Sequence, residues 1–569
     1  MSEEKEVYLS LQNEVVEIFS LLSRDLLDLQ PFMVKYQSCL FSVKRHIAAE
    51  KNPLVQKPYF LLLTLLYKLI AYTRDIYGGL GERKLTYMML FLWNYQFPLP
   101  TALCLKHMIT PIENAPPFGS WRDIKGLCLF IRQFSQKGEN DPFIETCLGL
   151  MNHQLDVDYT HWNNALDEYV RKQNTGFALM EKPSPSSVGI SMVAKWIPRE
   201  HSSYDWLFKR AAVQWIRSFK PHYFKSCTNE SQFKSALRKG SKEYRHVFSR
   251  LSREWDTLEI KQCNKQWDSI KPSAIPFSAL LRQQQSLLNI HSNGVVRSNI
   301  VDRVSCATKI QKCWRATTRS SNNPVFIDMG TFIKTAIRVV HVEEVRRMEI
   351  QWKHILSQYV PSSFLDMLLP IVDMSLFRDQ ENRFYEALGL ACIVAMKSSK
   401  RIFLFDQTTH VVSIEHCTSL KEVLAILRPI YHEHHIGQNV KGVCDTLLLS
   451  MRETNVPIDE VKLMFFTSYD RCTIQDVVQA SFEHAGYAQS PFLLIWRATE
   501  KILSTSSCSS SSRTFVFSGN SNYTLCRISS LPPEAWNQMN AFDFVAFLLN
   551  QPRYDIFEQT LLNCFVKNP

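Results

Sequence analysis

Glycine is scarce in this chain, with 17 residues among 569, about 3% where globular proteins have about 7%. No G-x-x-x-x-G-K-[ST] or G-x-G-x-x-G string occurs, so the two commonest phosphate-binding loops of nucleotide-binding proteins are absent. Glycine is also unfavourable inside helices, and its shortage therefore favours a helix-rich chain.

Motifs for metal or nucleophilic chemistry are missing as well. The fifteen cysteines run from Cys39 to Cys564 without a C-x-x-C pair, which excludes the usual zinc-ribbon and redox motifs. No G-x-S-x-G or H-E-x-x-H string occurs, so neither a nucleophile elbow nor a helical zinc site is indicated. The sequence therefore predicts a protein without enzymatic activity and without a cofactor, and scattered free thiols are typical of a reducing compartment.

Long hydrophobic runs are absent. The longest, Tyr59–Ile70 (YFLLLTLLYKLI), contains Lys68 and is too short to span a bilayer. The first ten residues, MSEEKEVYLS, are acidic and polar, unlike a secretory signal. We therefore expect a cytoplasmic protein with no membrane partner, located in the host cytoplasm if the chain is viral.

Positive charge is concentrated in the first part of the chain. The formal net charge is +11, whereas residues 361–569 contain 17 Lys and Arg against 21 Asp and Glu. Within the positive part, Tyr204–Arg253 holds twelve bases and three acids. Lysine and arginine bind phosphates and aromatic rings stack on bases, so this segment predicts binding to single-stranded nucleic acid.

The predicted RNA-binding residues are bases of that segment. They are Lys209, Arg210, Arg217, Lys220, Lys234, Arg238, Lys239, Lys242 and Arg245. Aromatic residues lie between them, namely Trp206, Phe208, Trp215, Phe219, Tyr223, Phe224, Phe233 and Tyr244. A second interpretation stays open, in which the aromatic rings belong to the core and the bases form one solvated helical face.

Three segments are predicted along the chain. Residues 1–290 carry apolar residues at helical spacing, which indicates an α-helical repeat domain of stacked hairpins. Residues 291–360 are predicted to be a linker with a connecting helix. Within it, Ile310–Arg319 (IQKCWRATTR) is close to an IQ motif, the basic helix that calmodulin-like proteins bind, and such a protein is one candidate partner.

Residues 361–569 alternate apolar strand-like runs, such as Arg401–Phe405 and Lys462–Thr467, with helical ones. This alternation predicts an α/β domain with a parallel sheet covered by helices on both faces. The predicted fold class is therefore a multidomain protein, α-helical first and α/β second. Ligand sites of such sheets lie at the carboxyl ends of the strands.

The loop after the first predicted strand, Asp373–Phe377 (DMSLF), resembles the D-x-S-x-S loop of von Willebrand A domains. That loop binds magnesium through carboxylate and hydroxyl oxygens. Here Phe377 replaces the second serine, Asn439 offers an amide where a threonine is usual, and Asp470 lies two residues beyond the expected acid, where Ser468 stands. The candidate site of Asp373, Ser375, Asn439 and Asp470 is thus degenerate, and we expect no magnesium binding.

Several strings along the chain resemble the signature of one family. They are Thr73–Arg83 (TRDIYGGLGER), Phe118–Ile124 (FGSWRDI), Ile190–Pro198 (ISMVAKWIP), Glu243–Leu251 (EYRHVFSRL), Trp267–Ala279 and Gln551–Phe557 (QPRYDIF). The family is the domain of unknown function numbered 2828, which occurs in plants, fungi, protists and giant viruses. The resemblance extends over nearly the whole chain.

That family is similar to the Ro/TROVE proteins, in which a ring of helical repeats is joined to a von Willebrand A domain. The resemblance implies a HEAT-like or TROVE-like helical domain, a von Willebrand A-like doubly wound sheet, and a non-catalytic protein that handles structured or misfolded RNA. This chain departs from the family at the metal loop, where D-x-S-G-S-M is expected, and in the IQ-like segment, which resembles an insertion.

Two functions therefore remain open. The first is a scaffold that binds RNA through the basic helical domain. The second is a protein-interaction adaptor that uses the von Willebrand A-like domain without a metal, with other proteins as its partners.

Overall fold

The computed structural model describes most of the chain. The described residues are 3–23, 26, 28–50, 52–111, 116–174, 182–225, 227–255, 257–272, 275, 279, 283–291, 295–316, 329–339, 342–357, 368–432, 439–469, 471–498, 514–517 and 522–567. Asp470 of the candidate metal site and residues 317–319 of the IQ-like string lie outside them.

Helices form nearly all the regular structure described before residue 358. Their bounds are α1 Glu3–Ser20, α2 Gln30–Ala49, α3 Pro53–Arg74, α4 Lys84–Gln96, α5 Pro98–Ile109, α6 Trp121–Phe134, α7 Pro142–Asn174, α8 Pro185–Val188, α9 Val193–Trp196, α10 Asp205–Phe219, α11 His222–Lys225, α12 Glu230–Glu254, α13 Leu258–Cys263, α14 Gln284–Leu287, α15 Val301–Ala316, α16 Met329–Arg338 and α17 Val342–Ser357. The helical character predicted for residues 1–290 is confirmed, and the segment predicted to be a linker with a connecting helix contains α15, α16 and α17.

Strands and helices alternate from residue 368 onward. Their bounds are β1 Leu368–Asp373, α18 Ser375–Asp379, α19 Glu381–Lys397, β2 Arg401–Phe405, β3 Thr409–Ser413, α20 Leu420–His432, α21 Val440–Thr454, β4 Lys462–Thr467, α22 Arg471–His484, β5 Phe492–Arg497, β6 Thr514–Phe517, α23 Asn522–Ser529, α24 Pro533–Gln538, α25 Ala541–Leu549 and α26 Asp555–Lys567. The predicted α/β character of this part is confirmed.

The strands form one sheet in the order β3-β2-β1-β4-β5-β6. All neighbours are parallel except β2 and β3, which are antiparallel. Successive side chains of a strand point to opposite faces, so Val372 of β1 packs with the helical core while Ile371 packs with α21 and α22. Helix α19 packs against β1 on the first face, and the sheet is therefore covered on both sides.

The last helices of the chain pack against the first ones. Helix α26 contacts α3 and α5, and α25 contacts α1 and α3. On α3, the buried Lys68 places its Nζ 2.7 Å from Glu558 Oε2 and 2.9 Å from Asn550 Oδ1. The core of the helical part and one face of the sheet belong to one apolar cluster.

Candidate functional site

Helix α12 carries five of the nine bases that the sequence singles out for RNA binding, and the other four lie on α10 or directly after it. Its first turn is capped by Asn229, whose side chain accepts a hydrogen bond of 2.9 Å from the backbone N of Gln232. Apolar residues at helical spacing, such as Tyr244, Val247 and Leu251, are buried and the helix packs against α7, α9 and α10. The opposite side of the helix is left facing solvent.

That solvent side is basic. At 100° per residue, seven bases fall within roughly 160° of the helix circumference, and the glutamates of α12 lie outside this arc. The seven, called the basic face below, are Lys234, Arg238, Lys239, Lys242, Arg245, Arg250 and Arg253. The basic face is a solvated helical face of the kind that the second interpretation describes, although Lys209, Arg210, Arg217 and Lys220 lie outside it.

Five of the nine predicted bases form ion pairs. Lys209 and Lys234 pair with the preceding turn of their own helices, at 2.6 Å from Asp205 and 2.7 Å from Glu230. The others pair across helices: Arg210 with Glu145 at 2.6 Å, Lys220 with Glu243 at 3.0 Å, and Arg245 with Glu200. These pairs reduce the charge that the five bases offer to a ligand.

The other four predicted bases, Arg217, Arg238, Lys239 and Lys242, are exposed. Within the described part of the chain, none of the four forms an ion pair or a side-chain hydrogen bond. Three of them belong to the basic face, whereas Arg217 lies on α10. They are the bases whose charge is available to an external anion.

The aromatic residues of the segment divide into core and surface. Phe208, Trp215 and Tyr244 are buried, so they cannot stack on bases. Phe224 and Phe233 stack on each other with ring centroids 4.8 Å apart. With Arg217 they line an open cavity of about 560 Å³. Only part of the predicted aromatic surface is thus accessible.

A further group of cations surrounds Trp196, at the end of α9. Arg122 Cζ lies 5.7 Å from the Trp196 ring centroid, Lys125 Nζ 5.5 Å and Lys195 Nζ 5.8 Å. Lys125 Nζ is also 4.9 Å from the Tyr204 ring centroid. We call Arg122, Lys125, Lys195, Trp196, Arg199 and Tyr204 the Trp196 cluster. Sequence reasoning missed it because its members come from three separate stretches of chain.

The cations of this cluster repel one another. Burial lowers the pKa of Lys125, and the charges of Arg199 and Arg122 lower it further. Burial also lowers the pKa of Arg199. Among the described residues, the one ion pair of the cluster joins Lys195 to the exposed Glu259 at 3.4 Å. The cluster therefore carries a positive charge that the described carboxylates leave largely uncompensated.

A buried polar network connects the loop after α3 with residues 551–554. We call it the Asp75 clasp; it comprises Asp75, Gly78, Gln551, Arg553 and Tyr554. Asp75 Oδ2 lies 3.0 Å from Arg553 Nε and accepts a hydrogen bond of 2.9 Å from the Tyr554 hydroxyl. Gln551 Nε2 donates to the Gly78 carbonyl oxygen at 3.0 Å. A Cβ on Gly78 would lie 2.7 Å from Gln551 Oε1, which explains the glycine.

Asp123 forms a second buried network beside the same loop. Its Oδ2 lies 2.8 Å from Arg74 Nη2, and its Oδ1 accepts a hydrogen bond of 2.8 Å from the Tyr87 hydroxyl. Burial of the carboxylate by itself raises the pKa of Asp123. The charge of Arg74 and the hydrogen bonds from Arg74 and Tyr87 lower it, and the net result is a lowered pKa. The strings around residues 73–83, 118–124 and 551–557 therefore lie next to one another in the fold, and their contacts hold these segments together.

At the carboxyl edge of the sheet, Asp373 is fully buried. Its Oδ1 accepts hydrogen bonds from Ser375 N at 3.0 Å and Ser375 Oγ at 2.6 Å, and its Oδ2 accepts one of 2.9 Å from Thr467 Oγ1. Tyr469 lies nearby: burial and, secondly, the charge of Asp373 raise its pKa to about 12. Both carboxylate oxygens therefore already have protein partners.

Phe377 and Asn439, the other described positions of the magnesium pattern, have protein contacts of their own. Phe377 packs against aromatic rings, with its centroid 5.3 Å from that of Tyr431. Asn439 caps α21, where its Oδ1 accepts a hydrogen bond of 2.9 Å from Gly442 N. Among the described residues, no group of three or more His, Cys, Asp or Glu side chains is arranged to hold a metal. Magnesium takes six oxygen ligands, several of which are usually water, and among the described residues the candidate ligands are Asp373, Ser375 and Asn439.

The IQ-like string lies on α15. Its first residue, Ile310, is buried in a small core with Trp267, Ile270 and Leu287. The corresponding side chain of an IQ helix must reach the groove of its partner. Binding of a calmodulin-like protein would therefore require Ile310 to leave this core.

Comparison of the chain with protein-family models, curated proteins and solved structures finds no match. Among the helices of the described residues, none has the length and apolar character needed to cross a membrane.

Proposed function

We propose that this protein is a non-enzymatic scaffold that binds single-stranded or imperfectly paired RNA through the basic face of α12. The observation that carries the proposal is the presence of Arg238, Lys239 and Lys242, exposed on one helical face without a carboxylate partner among the described residues. Such cations bind phosphates and release counterions, largely without regard to base sequence.

The stacked rings of Phe224 and Phe233 support the proposal. They lie beside Arg217 in a concave surface near the start of α12. A cation next to an accessible aromatic ring is the combination that single-stranded nucleic acids bind, because phosphates and bases are then contacted together. The same surface would read base sequence weakly.

The resemblance to the family numbered 2828 also supports the proposal. In this interpretation the helical part is HEAT-like or TROVE-like, the sheet is von Willebrand A-like, and the protein acts in the cytoplasm. At the carboxyl edge of the sheet, the carboxylate of Asp373 already accepts hydrogen bonds from the hydroxyl groups of Ser375 and Thr467. This arrangement argues against a metal-dependent activity of the sheet.

A protein-interaction adaptor is the second candidate. The observation that favours it is the acidic balance of residues 361–569, with 17 bases against 21 acids, next to a carboxyl edge whose oxygens are already bonded. In this role the sheet would bind partner proteins without a metal, and the bases of α12 would be a solvated surface.

Fluorescence anisotropy of a labelled single-stranded oligoribonucleotide at several salt concentrations distinguishes the two functions. If five bases neutralise phosphates, log K should fall with log salt at a slope of about −3.5, since each contact contributes about −0.7. Reversing Arg238, Lys239 and Lys242 to Glu removes three contacts. The slope should then flatten by about 2, and affinity at about 0.1 M salt should fall about a hundredfold.

A matched control reverses Lys421, Lys441 and Arg452 to Glu. These bases are exposed on helices of the α/β domain, so the control changes the net charge equally at a distance from α12. It should bind RNA nearly as well as the unmodified protein. No binding by the unmodified protein at low salt, or equal loss in both variants, would refute the RNA proposal and favour the adaptor.

A further inference from the structure

The Trp196 cluster is a second positively charged surface, separate from the basic face of α12. Three cations, Arg122, Lys125 and Lys195, lie within 6 Å of the centroid of one indole ring. Arg122 is exposed, whereas Lys125 and Trp196 are half-buried. A cation that is partly removed from water and surrounded by like charges is unfavourable unless an anion approaches it.

The cluster also adjoins α12. The Arg199 guanidinium lies over the ring of Phe248, with its Cζ 4.4 Å from the centroid, and the neighbouring Glu200 pairs with Arg245 of the basic face. The Glu200–Arg245 pair therefore places the loop that follows α9 against the basic face of α12. This adjacency favours an extended anion over a single small ion.

From these contacts we infer that the Trp196 cluster binds a backbone phosphate of the RNA strand that the basic face of α12 binds; the inference rests on the proposed function. Guanidinium and ammonium groups supply charge-assisted hydrogen bonds to the phosphate oxygens. A phosphorylated peptide would offer the phosphate without the extended strand.

The test uses the full chain with two neutral substitutions, Arg122→Gln and Lys125→Gln. Loss of one phosphate contact should flatten the salt slope by about 0.7, which corresponds to about fivefold weaker RNA binding at about 0.1 M salt. The matched control is Lys421→Gln with Arg452→Gln, which should leave the slope unchanged. Because Lys125 is repelled by its neighbours, the melting temperature of the cluster variant should not fall.

If Lys125→Gln nevertheless prevents folding, Arg122→Gln with Lys195→Gln tests the same surface with more exposed side chains. Binding of a fluorescent phosphoserine peptide is measured in parallel. An RNA slope equal to that of the control, or cluster-dependent binding of the peptide but not of RNA, would overturn the inference.

The two proposals fail separately. If the reversal of Arg238, Lys239 and Lys242 weakens RNA binding but the cluster variant behaves like its control, the proposed function stands and the inference is wrong. If the cluster variant weakens binding while the reversal does not, the cluster is the binding surface and the basic face of α12 is not. Absence of RNA binding by the unmodified protein refutes both.

Discussion

Replacing Arg553 with alanine would remove the charged partner of Asp75 in the Asp75 clasp. The carboxylate of Asp75 is fully buried, and Arg553 Nε lies 3.0 Å from its Oδ2. Removing one partner of a buried ion pair costs about 3–5 kcal/mol, because the remaining charge is uncompensated. Asp75 keeps its hydrogen bonds from Tyr554 and the backbone N of Tyr77, so we expect a loss near 3 kcal/mol.

Hydrogen exchange measures this loss locally, which suits a chain too large for two-state unfolding to be assumed. The backbone N of Gly81 donates to the carbonyl oxygen of Asp75 at 3.0 Å, and that of Glu82 donates to Thr73 at 2.8 Å. A loss of about 3 kcal/mol should speed exchange of these amides about a hundredfold where local opening limits it. Arg132→Ala, which breaks an exposed pair with Glu139, should cost less than about 1 kcal/mol.

The pH dependence gives the prediction its sharpest check. Burial raises the pKa of Asp75 above its usual value of 3.8 although Arg553 opposes the rise, so Arg553→Ala should raise it further. A raised carboxyl pKa means that the folded state binds the proton more tightly than the unfolded state, and stability therefore falls as pH rises through that range. The destabilisation should be largest at neutral pH and should shrink toward pH 5.

The double variant Asp75→Asn with Arg553→Ala supplies the reference, because it has no carboxyl group to titrate. It should be more stable at neutral pH than Arg553→Ala alone. A destabilisation of Arg553→Ala that is the same at pH 5 and pH 8, or a double variant that is no more stable, would refute the reasoning about an uncompensated buried charge.

Two further predictions concern packing and metal binding. Gly240→Ala should destabilise the helical part by about 1–3 kcal/mol, since a Cβ there would lie 2.5 Å from Ile216 Cδ1 and 2.7 Å from Ile216 Cγ1. Thermal unfolding measures this, and Gly240→Ala with Ile216→Val, which removes Cδ1 but keeps Cγ1, should recover only part of the loss. Titration calorimetry of the full chain should detect no sub-millimolar magnesium binding; a tight signal that Asp373→Ala abolishes would show that the bonds from Ser375 and Thr467 are displaced by the ion.

Sequence reasoning located regular elements better than it located surfaces. Strands β2 and β4 have the bounds that their apolar patterns predict, because a strand buried on both faces leaves a continuous apolar run in the sequence. Strand β3 was not predicted, since it lies at the antiparallel edge of the sheet and buries little. Its exposed residues resemble those of a loop.

The candidate surfaces were predicted in part. Five of the nine predicted bases share one amphipathic helix, α12, whose spacing is visible in the sequence. The aromatic residues between the bases could not be divided into core and surface, because that division depends on their packing partners. The Trp196 cluster draws on α6, α9 and the loop after it. Residues brought together by tertiary packing leave no spacing pattern in the chain.

The contacts of Lys68 and of the Asp75 clasp connect segments that are far apart in sequence, and this separation affects how the protein folds during its synthesis. Tyr554 and Asp75 are 479 positions apart in sequence, so a long stretch of chain is synthesised after Asp75 and before Tyr554. Until residues 550–558 leave the ribosome, Lys68 and Asp75 lack the partners that compensate their buried charges. Contacts between such distant segments slow folding and leave apolar surface exposed meanwhile. We therefore expect the nascent helical part to depend on chaperones until residues 550–558 have been synthesised.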